Sequence, residues 1–459
     1  MSRLDILDAA FHYFSADDGC HDHCATYVFD SPRGQAPGTR DIIEMLRDRA
    51  ARVPELQRRI APVPGDLDYP HWVVDDSPMS SRVTVHDLDG GTWQDVETLL
   101  GALKEDPLDA ARQAWHVHIV RGSFGAPNTT GTPTVVIFRI SHALTAGIGA
   151  SALGRLLLSP NAGAPTPLPG HGAPTRPREL AAAAVTGALA LPFRTARFLS
   201  ARRRTRQAYL GSPSALDRPK PRPAVRGNAD PTLRRVVHVT PFEPGLLRRR
   251  GLSVTVLALT AVGLANERFL AEFGEPIPTT FNAAVPVAVP ENIDWPAANR
   301  VITSKVDLFT DEPDLARRAV AIREAMEAAK QRAIDPDLLR WALAENRVPA
   351  PLYLAARRKQ RRHHEPNHGM RTTVGANAVV VSVPHGPNDL DLCGARAAFS
   401  GDFPMLTDGH SITHGFYGLG DAVTLCLVAC PDTFPDHLRY AELVTTAVRD
   451  VAAATLDAS

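Results

Sequence analysis

Histidine is the side chain that most readily exchanges a proton near neutral pH, and four stretches of this 459-residue chain place histidines where they could do so. In PTVVIFRISHALTAGIGA (133–150), an apolar run reaches His142 and gives way to a loop with two glycines. Period-two alternation puts Val136, Phe138, Ile140 and His142 on one face of a strand, with the imidazole at its end. A general base facing a cleft would stand there, although a strand-end histidine taken alone is more often structural. CHDHC (20–24) suggests a metal, but a structural zinc site takes about four ligands from two separated pairs. No second pair matches, and on an extended chain His21 and His23 share one face while Cys20, Asp22 and Cys24 share the other. HHEPNHG (363–369) follows RRKQRR instead of an apolar strand, so it reads as an exposed basic loop. GHSITHGFYG (409–418) sets His410 and His414 among glycines, where strand-and-turn packing explains them as well as a pocket lining does. The absence of a P-loop, a dinucleotide fingerprint and a GxSxG elbow argues against nucleotide-driven and serine-hydrolase chemistry.

The elements that must position these residues fall into two α/β halves. The length exceeds one ordinary core, and the expected division is 1–158, a linker 159–228, and 229–459. In the first part, 42–60 has helical spacing that should end at Pro54, 115–120 and 135–140 are β-rich runs, and 148–157 is a helix entered from the glycine loop. SPNAGAPTPLPGHGAPTRP opens a linker too rich in Pro and Gly for a regular element. Its continuation, LAAAAVTGALALPF followed by FRTARFLSARRRTRQ, reads either as a helix on a membrane surface or as an inter-domain helix. Pro192 should break the apolar face, which favours the second. Beyond 229, 254–273 is a long apolar helix, ITSKVDLF, NAVVVSVP and AVTLCLVAC are strands, and 440–454 is a closing amphipathic helix.

Fifty basic residues balance fifty acidic ones, so no net field attracts nucleic acid. The opening MSRLDILDAA lacks the basic and apolar regions of a signal peptide, and no apolar run reaches the ~20 residues of a bilayer span. Five cysteines at scattered positions suggest no disulfide framework, which points to a reduced, cytoplasmic protein.

Taken in order, LDILDAAFHYF (4–14), VPELQRRIAPVPGDLDYPHWV (53–73), DPLDAARQAWHVHIVRG (106–122), the 281–309 region and DLDLCGARAAF (389–399) resemble the wax ester synthase/diacylglycerol acyltransferase family. That family belongs to the fold group of chloramphenicol acetyltransferases and condensation domains. The resemblance implies an α/β fold of two chloramphenicol-acetyltransferase-like sandwich domains meeting at a central substrate tunnel. Its HHxxxDG motif falls on residues 141–147, which makes His142 the implied general base and Ser141 and Ala146 departures from the motif. In this fold group the aspartate braces the loop, usually through an arginine, and an uncompensated loss would cost about 1–3 kcal/mol in positioning. Gly147 and Asn299 keep their places, Ser382 replaces an asparagine, and an Asn-Asp pair becomes Thr255 and Val256.

The implied reaction is acyl transfer from a thioester, on coenzyme A or a carrier protein, to a small-molecule hydroxyl or amine. No metal or cofactor is called for beyond the thioester co-substrate. Gly147 would admit the pantetheine arm, and Ser141 and Thr145 would supply hydrogen bonds near the tetrahedral intermediate. The altered motifs point to a specialised biosynthetic acceptor. The alternatives are a catalytically silent binding homologue, or a cyclase or lyase reusing His142 as a single base.

Overall fold

The apolar run that leads to His142 is a strand in the computed structural model of the protein, which describes residues 3–15, 20–32, 35–122, 125–161, 176–212, 221–363 and 366–456. The first half supplies α1 (Ile6–Ser15), β1 (His23–Ser31), α2 (Thr39–Ala50), β2 (Val83–Asp87), α3 (Trp93–Glu105), β3 (Trp115–Arg121), β4 (Thr132–Ile140) and α4 (Gly147–Leu158). A long helix, α5 (Pro177–Leu210), follows. The second half begins with β5 (Val236–Pro241), α6 (Val254–Glu272), β6 (Asn282–Ala288), β7 (Val301–Asp307), α7 (Leu315–Ala333), α8 (Pro336–Glu345) and α9 (Ala350–His363). It continues through β8 (Ala378–Gly386), β9 (Asp391–Leu392), β10 (Ala395–Gly401), β11 (Ile412–Leu419), β12 (Ala422–Ala429) and α10 (His437–Ala454).

Local chemistry accounts for several boundaries. Thr92 and Asp95 form a capping box that starts α3, and Ser253 accepts from the Val256 amide to start α6. Before Pro54 the helix gives way, as its missing N–H requires, and a short 3-10 turn Pro54–Gln57 takes over.

Two six-stranded mixed sheets organise the rest. One runs β9-β10-β1-β4-β3-β2 and the other β7-β6-β8-β11-β12-β5. Residues 391–401 lie far along the second half, yet β10 pairs antiparallel with β1 in the first sheet, from Thr26 opposite Gly401 to Asp30 opposite Arg396. Along β4, Val136, Phe138 and Ile140 enter a core with α1, α2 and α4, while Val135 and Ile137 enter another. That second core is shared between the halves: Val96 and Leu100 of α3 and Val28 of β1 meet Val237, Val383, Tyr417 and Val428. A third core gathers α6 and α10 over the second sheet.

Helix α5 departs from expectation, for it runs through Pro192 without a break. The carbonyl of Ala188, which proline leaves without an intrahelical donor, belongs to an exposed residue, where water can serve it. One stripe of α5, including Ala183, Ala184, Gly187, Phe198 and Tyr209, packs on protein, and Tyr209 stacks on Trp341 of α8. Linker positions 162–175 and 213–220 lie outside the described residues. Helix α6 is long and apolar enough to cross a membrane by length and composition, but Leu257, Leu259, Val262 and Phe269 hold it in the third core.

Candidate functional site

At the end of β4 the chain turns sharply. The Ser141 amide donates to the Ala114 carbonyl, the Leu144 amide to the Ser141 carbonyl, and the Ala143 amide to Ser141 Oγ at 3.3 Å. His142 projects from this turn between two rings. Phe11 of α1 stacks on one face with centroids 3.9 Å apart, and His23 of β1 on the other at 4.3 Å. Strand register explains the second contact. His23 lies directly opposite Ile140, so residue 142 is its diagonal neighbour, within reach of a ring.

Both halves then clamp the turn from outside. Asn299, just before β7, donates Nδ2 to the His142 carbonyl at 2.8 Å and to Asp8 Oδ1 at 2.7 Å. Asp8 in turn accepts the Ala298 and Asn299 amides. From the other side, His23 Nε2 meets the Thr145 carbonyl at 3.2 Å and its Nδ1 meets Asp402 Oδ2 at 2.8 Å. The other Asp402 oxygen accepts the amides of Cys24 and Phe403.

The electrostatics follow from this packing. Burial holds His142 well below the ordinary histidine range; the His23 ring and, more weakly, His21 push the same way, while its own carbonyl and Asp402 push back only in part. The ring is therefore unprotonated at neutral pH. Its Nδ1 is buried with no well-formed hydrogen bond, its Nε2 makes none to the described residues, and the residue keeps part of its surface open. Burial would push the Asp402 carboxyl up, but the His23 ring, Lys104 and the hydrogen bonds to it prevail and hold it well below the usual carboxylate range. Burial pushes Asp8 up to about 7 despite its three accepted hydrogen bonds.

The remaining expected residues sort as follows. Ser141 and Thr145 are buried and serve the loop itself, Thr145 Oγ1 donating to the Ala146 carbonyl at 3.3 Å. Gly147 begins α4 where a Cβ would lie 3.2 Å from Val383 Cγ2 of β8, so its small size lets the two halves approach. Ser382 lies half-buried in β8, opposite Phe416. His414 is a structural residue: Nδ1 donates to the Val379 carbonyl and Nε2 faces the Tyr440 hydroxyl at 2.9 Å. His410 donates from Nε2 to the Ala376 carbonyl. In CHDHC the faces divide as expected, with His23 toward His142 and Asp22 toward Arg139 and the Leu108 amide. Among the described residues no group of three or more His, Cys, Asp or Glu side chains could hold a metal. Sequence reasoning missed Asp8, Phe11, His23 and Asp402; the i, i+3 spacing of Asp8 and Phe11 on one helix face was the one available signal.

Two α/β lobes that share a sheet, with a histidine turn at their junction, define the chloramphenicol-acetyltransferase-like fold class. The same fold appears in a wax ester synthase/diacylglycerol acyltransferase from Marinobacter aquaeolei VT8, with TM-score 0.62, 18% identity, and 98% of each chain covered. It also appears in the first condensation domain of the calcium-dependent antibiotic synthetase, with TM-score 0.57, 14% identity, and 99% of this chain and 97% of that one covered. Residues 4–270 match the model of the wax ester synthase/diacylglycerol acyltransferase catalytic domain, and the chain belongs to that acyltransferase family. A Mycobacterium tuberculosis (strain CDC 1551 / Oshkosh) relative named for diacylglycerol O-acyltransferase activity is 25% identical over 472 residues, 98% of this chain and 90% of its own. A Mycobacterium bovis relative named likewise is 25% identical over 480 residues, 99% of this chain and 100% of its own.

Proposed function

We propose that the protein moves an acyl group from a thioester, on coenzyme A or a carrier protein, to a hydroxyl or amine, with His142 as the general base. The observation that carries this reading is an unprotonated, partly open imidazole, fixed between Phe11 and His23 where the halves meet, whose Nε2 is engaged by none of the described residues. Nε2 takes the acceptor's proton as its oxygen or nitrogen bonds to the thioester carbonyl carbon. The tetrahedral intermediate collapses with cleavage of the C–S bond, and the departing sulfur recovers the proton from Nε2. Support for the donor comes from the starter condensation domain of rhizomide synthetase, a variant of which has been crystallised with C8-CoA and Leu-SNAC; it covers 99% of this chain at TM-score 0.56 and 13% identity. The departures at Ser141, Ala146 and Ser382 support a specialised acceptor over a bulk lipid one.

Two further parts of the reading concern surroundings. Five free cysteines suit a cytoplasmic setting. A peripheral membrane contact is supported by the outward face of α5, where Val185, Leu189 and Phe193 rise at four-residue spacing and are 61%, 79% and 69% exposed.

Replacing His142 with alanine tests the central assignment. Turnover of acyl-coenzyme A donors against a panel of alcohols and amines, followed as free thiol, should fall by about 100-fold or more. Turnover retained within about tenfold removes His142 from the chemistry and leaves a binding homologue.

A further inference from the structure

His23 stacks on His142, and the proposed reaction leaves it without a task. Its two nitrogens both face acceptors, a carboxylate oxygen of Asp402 at Nδ1 and the Thr145 carbonyl at Nε2. A carbonyl oxygen cannot donate, and Asp402 is already fixed in its ionised form by two backbone amides. Both acceptors are met at once only when each ring nitrogen carries a proton, and it is the positive ring so formed that bears on His142 and Asp402. Position 146, meanwhile, has lost any means of bracing the loop: Ala146 has no polar side chain, and α4 starts from it with no side-chain cap.

We propose that His23, held by Asp402, is the positioning residue of this site, replacing the missing loop brace by tying down the Thr145 carbonyl and fixing the His142 ring face to face. This rests on the reading of His142 as the base. The arrangement spans the two halves, since His23 opens β1 and Asp402 follows β10. Its charge has a chemical use. A cation 4.3 Å from the His142 ring centre keeps that ring unprotonated before the reaction, and makes the proton it takes up easy to pass on to the leaving sulfur. The other titratable groups that face the pair are His21 and His385, with Lys104 acting on Asp402. None of these takes hold of the Thr145 carbonyl, which leaves that task to His23.

The test compares His23→Ala, His23→Gln and His142→Ala in the full chain. Octanoyl-coenzyme A, with the alcohol or amine of the panel above that the parent turns over fastest, serves as the activity probe, and nitrogen-labelled histidine NMR follows His142 directly. His23→Ala should lower kcat by about tenfold or more, with the donor KM held within about threefold. The acid limb of the rate profile and the His142 midpoint seen by NMR should both rise by about one pH unit, because a neighbouring cation is gone. His23→Gln retains a donor for the Thr145 carbonyl, so it should recover part of kcat but leave the His142 midpoint raised. It also keeps the test decisive if thermal melts show that His23→Ala does not fold. Parent-like kcat and an unmoved midpoint in the folded His23 variants overturn the proposal, and so does a moved midpoint with unchanged kcat. Where His142→Ala is inactive, those outcomes leave the base assignment standing; if His142→Ala keeps turnover, the base assignment itself fails and the positioning role goes with it.

Discussion

Asp8 is buried, and its two oxygens accept three hydrogen bonds from the 298–299 turn, while Asn299 passes that constraint to the His142 carbonyl. The carboxyl is raised to about 7 by burial. Below about pH 4 the folded and unfolded chains both hold this proton. Between about 4 and 7 only the folded chain holds it, so the contribution of Asp8 to stability is lost as pH rises, at about 1.4 kcal/mol per pH unit. Asp8→Asn should remove that slope, as denaturant titrations at a series of pH values between those limits would show; an unchanged slope would mean that Asp8 is ionised throughout. At this scale the sequence was partly legible. Alternation along β4 put His142 at a strand end, and the family resemblance singled out Asn299. His23 was recognised only as a poor metal ligand, because its partner depends on the β1–β4 register, which sets His23 opposite Ile140, 117 residues further along, and has no local signature. Asp402 shares that difficulty, since only tertiary packing brings it beside β1.

Elements with a strong period were read correctly, and α5 shows where such reading stops. One stripe of it packs on protein, while Pro192 fails to interrupt it because the freed carbonyl belongs to an exposed residue. Proline propensity speaks of the helix interior in general and says nothing of which side faces water. The opposite stripe carries the exposed Val185, Leu189 and Phe193, and α5 holds seven arginines against one glutamate. Helix α9 adds five basic residues and no acidic one, and its Arg358 pairs with Asp66 in the same short turn against which α5 packs. Arg194, Arg202 and Arg358 pair with Asp68, Glu345 and Asp66, and the two helices still carry more basic than acidic residues. A second copy would meet them with like charge, whereas an anionic bilayer offers both an apolar interior and opposite charge. Co-sedimentation with vesicles rich in phosphatidylglycerol should exceed that with phosphatidylcholine vesicles, and should weaken as salt is raised. Leu189→Asp with Phe193→Asp should reduce it about tenfold or more at constant lipid, since each buried apolar side chain contributes about 1.5–3 kcal/mol. Equal binding of parent and double variant would take the membrane off this face.

Considered whole, the molecule is two lobes that cannot be separated along the chain. The expected boundary lay between 158 and 229, yet strand exchange carries residues 391–401 back to the first sheet. Nothing in the composition of DLDLCGARAAF announces this, because a strand's partner is chosen by long-range pairing and not by its own residues. Carboxylates of one half also take backbone amides of the other: Asp8 accepts from Ala298 and Asn299, Glu97 from Val239, Glu105 from Arg235, and Asp402 from Cys24. These contacts fasten the halves on both sides of the His142 turn. A fragment of residues 1–212 would consequently present β1 as an open edge, with those backbone groups of Thr26–Asp30 that face β10 unpaired and the shared-core face around Val28 uncovered. An open apolar edge is a template for aggregation. Expressed alone, the fragment should run as large, light-scattering species on size-exclusion chromatography, and co-expression with 213–459 should return a compact one-to-one complex. A monodisperse, cooperatively melting 1–212 fragment would show instead that the first lobe completes its own sheet, and that the strand from the second half is only an addition to it.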